Sequence, residues 1–138
     1  MKVTVLLMSI ALLLSACSTS DYYRVPNADL SRIRSFYVIH RLSDNHHIDD
    51  TIVGHLRSLG LEASAGPTTM MPQRVEAIVT YRDEWAWDFK TYLIQLDIEI
   101  HHAHTNRPLA RGSYRQPTII TKSTATVVER IFTRLLSP

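Results

Sequence analysis

Seven histidines in a chain of 138 residues make metal binding the first chemistry to consider. His101, His102 and His104 lie close together, and on a strand His102 and His104 share a face, which brings two imidazoles into chelating reach. A closed zinc site wants a third and a fourth ligand. No cysteine is available to supply one, and the HExxH spacing is absent. His102 and His104 are therefore the metal candidates, but a cluster at a strand end beside a turn reads first as solvated polar residues, and no cofactor is expected. His46 and His47 precede a helix, while His40 and His55 fall at the edges of packed surfaces. Hydrolysis would have to recruit Asp83 and Asp88, or Ser113 with a histidine. No nucleophile elbow, paired-carboxylate motif or glycine-rich phosphate loop is present, so the chain is not expected to be an enzyme.

The densest stretch is "YRDEWAWDFKTY", residues 81–92, which holds both tryptophans of the chain. Tyr81, Asp83, Trp85, Trp87 and Phe89 share one phase of a strand, whereas the apolar set Tyr92, Ile94, Leu96, Ile98 and Ile100 takes the other. A slip of one residue turns every side chain over, so the chain must turn or bulge between about Asp83 and Thr91. The expectation is a hairpin whose connection lies within "DEWAWD". With no Gly or Asn for a two-residue primed turn, a longer or bulged connection is implied. Trp85, Trp87, Asp83 and Asp88 are the candidate binding residues. Either the rings fold back over a helix end or the loop at Met70-Met71, with the aspartates holding the turn, or they form an exposed tip for a partner protein, a glycan or a membrane interface.

The elements that would position this stretch follow from periodicity. "FYVIH" at 36–40 reads as a strand. Ile48, Ile52, Leu56 and Leu59, widened by Val53, recur at helical spacing, with Asp44 or Asn45 as cap and Gly60 as terminator. Gly54 inside that helix implies a close neighbour. "ASAGPTTMMPQR" reads as loop. Alternation predicts strands over "VEAIVTYRD" and "DFKTYLIQLDIEIHH", and a last one at "PLARGSYR". Pro117 breaks the chain. A second helix then carries Val127, Val128, Ile131, Phe132 and Leu135, capped by Ser123 or by Thr126 in a capping box with Glu129. The fold class is therefore α+β, a two-layer sandwich in the order β-α-β-β-β-α. Two helices cover one face of a four-stranded sheet whose last three strands form an antiparallel meander. A right-handed crossover sets the first strand parallel to the second.

The first sixteen residues are of another kind. Met1-Lys2 precedes an apolar run from Val3 to Leu14, the n-region and h-region of an export signal and too short for a bilayer span. The run ends in Leu14-Ser15-Ala16-Cys17. Those four residues resemble the lipobox of bacterial lipoproteins, in which the cysteine is acylated and becomes the first residue. Cys17 is the one cysteine of the chain, so no intrachain disulfide can form. Ordinary cleavage after Ala16, leaving a free thiol, is the other reading. In the lipoprotein family an Asp after the cysteine resembles an inner-membrane retention signal. Ser18 therefore implies the outer membrane, lipid-anchored, on the periplasmic face.

Removing residues 1–16 from the 138 leaves 122, enough for one domain. The expected organisation is a signal peptide over 1–16, a lipidated Cys and tether over 17–33, and a single periplasmic domain over 34–138. Lys2 is the one charge removed, so 14 of the 15 basic residues remain against 13 acidic ones. That near-balance argues against a nucleic-acid binder, which would need a clustered basic face. "VTYRDEWAWD", followed by "YLIQLDIEI" and a late "TKS" helix start, is similar to an uncharacterised proteobacterial family of small α+β lipoproteins. The resemblance implies no activity. Together these readings point to a membrane-anchored, non-catalytic binding or envelope-assembly module, with the membrane as partner through the N-terminal lipid and an envelope protein as the candidate second partner. A metal-binding or hydrolytic envelope protein using the histidines and Asp83/Asp88 is the alternative.

Overall fold

The computed structural model describes residues 17–116 and 121–138. The signal segment and the break at Pro117 lie outside the described residues. Six strands form one mixed sheet: β1 (Thr19–Arg24), β2 (Ser35–Ile39), β3 (Glu62–Gly66), β4 (Ala77–Asp88), β5 (Lys90–His102) and β6 (Pro108–Arg115). Their order across the sheet is β1-β6-β5-β4-β2-β3. β2 runs parallel to both β3 and β4, and the remaining neighbours are antiparallel. Two helices, α1 (Ile48–Ser58) and α2 (Thr124–Leu136), join it.

The expected α+β class holds, with two helices among the described residues, but the sheet there has six strands, not four. The segment expected as a tether contains β1, which pairs with β6 from Thr19↔Arg115 to Arg24↔Ala110. It escapes periodicity because an edge strand needs little apolar surface, and only Tyr22 of its residues is even half-buried. The segment expected as loop contains β3, made of small residues. A Cβ on Gly66 would come within 2.5 Å of the Tyr37 hydroxyl, which donates to the Pro67 carbonyl at 2.9 Å. Backbone pairing supplies most of what holds both edges, with Ala63 of β3 buried and Tyr22 of β1 packed against the core.

The core lies between the sheet and the two helices. Phe36, Val38, Ala77, Val79, Leu96, Ile98, Ile100 and Tyr114 of the sheet meet Ile48, Ile52 and Leu56 of α1 and Val127, Val128, Ile131, Phe132 and Leu135 of α2. Each fully buried aliphatic side chain contributes roughly 1.5–3 kcal/mol. α2 approaches the sheet closely over Gly112, where a Cβ would stand 2.7 Å from Ile131 Cγ2. Ser123 caps α2 by accepting from the Thr126 N–H, so the capping box expected at Thr126 and Glu129 gives way to a start one turn earlier. α1 ends at Gly60 with φ 79°. Nothing lies within 4 Å of a Cβ placed on Gly54, which overturns the close neighbour expected there.

The β4–β5 hairpin resolves the phase conflict differently from the expectation. β4 continues through both tryptophans, and the chain reverses at Phe89, between the pair Asp88↔Lys90. The break in phase is a bulge on β5: Glu84 pairs with Gln95 but Trp85 pairs with Leu93, leaving Ile94 as the extra residue. Leu93, not Ile94 or Tyr92, therefore turns into the core, 3% exposed.

Candidate functional site

The hairpin, the β2–α1 loop and the start of α1 meet at one end of the sheet, because β2 and β4 run parallel and both point there. A buried polar cluster joins them. Asp44, in the middle of the loop, accepts from the N–H groups of His46 (3.0 Å), Ile48 (2.8 Å) and Asp49 (3.3 Å), and from the Tyr81 hydroxyl (2.7 Å). His47, the residue before α1, is left-handed and makes no side-chain cap, so the Asp44 carboxylate takes over the orphan amides of the helix start. Burial pushes the Asp44 carboxyl upward, but the Tyr81 and backbone hydrogen bonds outweigh it and hold the group below the usual carboxylate range. Burial, then the Asp44 hydrogen bond, push the Tyr81 phenol well above its ordinary value. Carboxylate and phenol thus keep fixed protonation states around neutral pH.

The cluster continues into the hairpin. Asp83 Oδ1 accepts from Arg41 Nη1 at 2.7 Å, and Asp83 Oδ2 accepts from Trp85 Nε1 at 2.6 Å. The Arg41 guanidinium also lies 5.9 Å from the centre of the Tyr81 ring. Trp85 stacks on His46 with ring centres 3.7 Å apart and 14° between planes. Asp49 pairs with His40 Nδ1 at 2.7 Å. Indole, carboxylate and guanidinium thereby fasten the hairpin to the loop before α1, and both oxygens of Asp83 are occupied.

The four candidate binding residues separate. Trp85 and Asp83 belong to this bracing cluster, and the ring packs on His46 rather than at Met70-Met71. Asp88 stands at the tip opposite Lys90, away from Asp83, so the two aspartates do not converge as an acid–base pair would. Trp87 is 76% exposed and Phe89 95% exposed. Phe89 has φ 60°, a conformation unusual for a bulky residue. Leu42, 98% exposed, lies in the β2–α1 loop at the same end. Leu42 and Arg41 carry no signal in the sequence, and Phe89 reads there only as a member of the strand phase. Phe89 lay inside the aromatic string, but nothing in a one-dimensional pattern marked it as the apex.

His102 and His104 stand edge-on, ring centres 6.1 Å apart, and the His104 N–H donates to His102 Nδ1 at 3.3 Å, engaging one possible ligand atom. Among the described residues, the group whose possible ligand atoms lie within 4.8 Å of one another is His47, Asp49 and Asp50, at the start of α1. There the acidic pair complements the helix N-terminus, and Asp49 is already engaged by His40. On the sheet face away from the helices, Asp97 accepts from Ser113 Oγ (2.5 Å) and Gln95 Nε2 (3.1 Å), a solvated polar ladder. Cys17 is exposed, two residues before β1. No helix among the described residues is long and apolar enough to cross a membrane.

No family model matches the chain, and no curated protein matches it. Among solved structures it is similar to the PelC dodecamer of Paraburkholderia phytofirmans, at 10% identity and TM-score 0.62, over 88% of this chain and 99% of that one. A variant of that dodecamer gives 12% identity and TM-score 0.64, over 88% and 100%. A DUF4136 family protein from Bacteroides thetaiotaomicron gives 8% identity and TM-score 0.56, over 87% and 97%. At these identities the likeness is one of fold: a small bacterial α+β domain of nearly the same extent.

Proposed function

We propose that this chain is an outer-membrane lipoprotein, acylated at Cys17 and facing the periplasm, whose domain is a non-catalytic binding or envelope-assembly module. The observation that carries the reading is the exposed pair Trp87 and Phe89 on a hairpin that the Arg41–Asp83–Trp85 bridge holds in place. Exposed large aromatics on a rigid support are what a contact surface needs, since little ordering entropy is lost on binding. The lipobox-like Leu14-Ser15-Ala16-Cys17 supplies the anchor, and the exposed position of Cys17 leaves it accessible for modification. The carboxylates most favourably placed for catalysis, Asp44 and Asp83, are instead committed to structural hydrogen bonds. The fold neighbours add only an architecture, although the PelC structures are described as dodecamers and an assembly role is compatible with that.

Envelope crosslinking tests the reading. In intact cells, a photocrosslinking residue at Trp87 should capture an envelope component, and the same probe at exposed Glu62 should not. Equal yields at both positions would remove the contact-surface reading.

A further inference from the structure

The strand register places Cys17 and the aromatic tip at the same end of the molecule. Thr19 pairs with Arg115, Arg115 with Gln95, and Gln95 with Glu84, so Thr19 and Glu84 lie in one row across the sheet. β1 runs away from that end and β4 runs toward it. From this row the backbone of β4 goes on to Asp88 and reverses at Phe89. At ~3.3 Å per residue the apex stands about 17 Å beyond the row, whereas Cys17, two residues before Thr19, reaches about 7 Å. The tip therefore projects about 10 Å past the acylated residue. Laterally the two are three strand spacings apart, about 14 Å.

We infer that the β4–β5 tip, with Trp87 and Phe89, is a second membrane contact that inserts into the bilayer holding the Cys17 acyl chains and fixes the orientation of the domain. The inference rests on acylation of Cys17. Acyl chains at Cys17 place that residue at the headgroup level, and an element reaching about 10 Å further lies at the depth where interfacial segments bury their apolar face, ~5–10 Å into the headgroup and acyl boundary. The residues at the tip match that depth. Trp87 is a residue type enriched at the membrane–water interface, with an indole N–H for the headgroups. Phe89 is purely apolar and sits at the apex. Asp88 and Lys90 face each other beside it and can remain among the headgroups, Lys90 by extending its long stem. The left-handed Phe89 and its 95% exposure in water are both unfavourable for an isolated domain. Burial of the ring in lipid relieves the second. The Arg41–Asp83–Trp85 bridge holds the hairpin extended, so the tip meets the bilayer without being reordered.

Tryptophan quenching decides the matter, because the chain has two tryptophans and the structure separates their environments. The lipidated full-length product is purified from membranes and reconstituted into phosphatidylethanolamine–phosphatidylglycerol vesicles with lipid brominated near the top of the acyl chain. The wild-type protein, which keeps the Arg41–Asp83–Trp85 bridge, should be blue-shifted and lose at least a quarter of its emission to bromine. Trp87→Phe, which leaves Trp85, should change by less than a tenth. The quenching in excess of that in Trp87→Phe belongs to Trp87, and Phe89→Glu should reduce it at least two-fold. Vesicle flotation with Trp87 unquenched would overturn the insertion while leaving the anchor intact. A mature N-terminal peptide without acyl mass would overturn the anchor, and the insertion with it.

Discussion

Asp44 is buried and ionised because four groups donate to it: the Tyr81 hydroxyl and the N–H groups of His46, Ile48 and Asp49. Hydrogen bonds to a charged group contribute roughly 1.5–3 kcal/mol. Asp44→Asn removes the charge and turns an amide toward donors, so it should destabilise the domain by about 2 kcal/mol in urea unfolding at pH 7. The pH dependence follows from the lowered pKa. The unfolded chain holds the proton more tightly than the folded one, so the Asp44 contribution is fully present above the ordinary carboxylate value of about 4. It is lost as pH falls through the lower folded value. The difference in stability between wild type and Asp44→Asn should therefore be constant from pH 7 to about 5 and shrink below about 4. A difference that grows toward acid would contradict the assignment. Asp44 was readable in the sequence as a helix cap. Its contact with Tyr81, 37 residues away, was not, because periodicity reports which face a residue takes and not which loop crosses above it.

At the scale of elements, the hairpin shows how far alternation can be followed. The conflict of phase between Tyr81–Phe89 and Tyr92–Ile100 was visible in one dimension and correctly required a turn or a bulge. The structure uses both, in different places: a bulge at Ile94 and a reversal at Phe89. The sequence could not separate them, because a turn without Gly or Asn carries no local marker and a bulge shifts phase just as a turn does. The same limit hid β1 and β3, edge strands held by pairing with one neighbour each. The two helices and the central strands, whose apolar faces are continuous, were legible. The left-handed Phe89 yields a prediction that separates folding from contact. A left-handed conformation costs a residue with a Cβ roughly 1–2 kcal/mol, and glycine is free of that cost. Phe89→Gly should raise the stability of the domain by about 1 kcal/mol in urea, or leave it unchanged through the added freedom of the unfolded chain. A loss of more than about 1 kcal/mol would mean that the ring packs on the domain itself.

At the scale of the whole molecule, the first residue of the folded domain and the aromatic tip share one end, and the α1–α2 layer covers one face of the sheet between two edge strands. A domain held at that end presents its far end, with the β5–β6 turn and the C-terminus of α2, away from the membrane. That arrangement depends on the chemical state of Cys17. Mass spectrometry of the mature N-terminal peptide from purified membranes reads it directly. Acylation predicts a chain that begins at Cys17 and carries the mass of the lipid, and a Cys17→Ala chain that stays unprocessed. A chain beginning at Cys17 with a free thiol, or at any other residue, would contradict it.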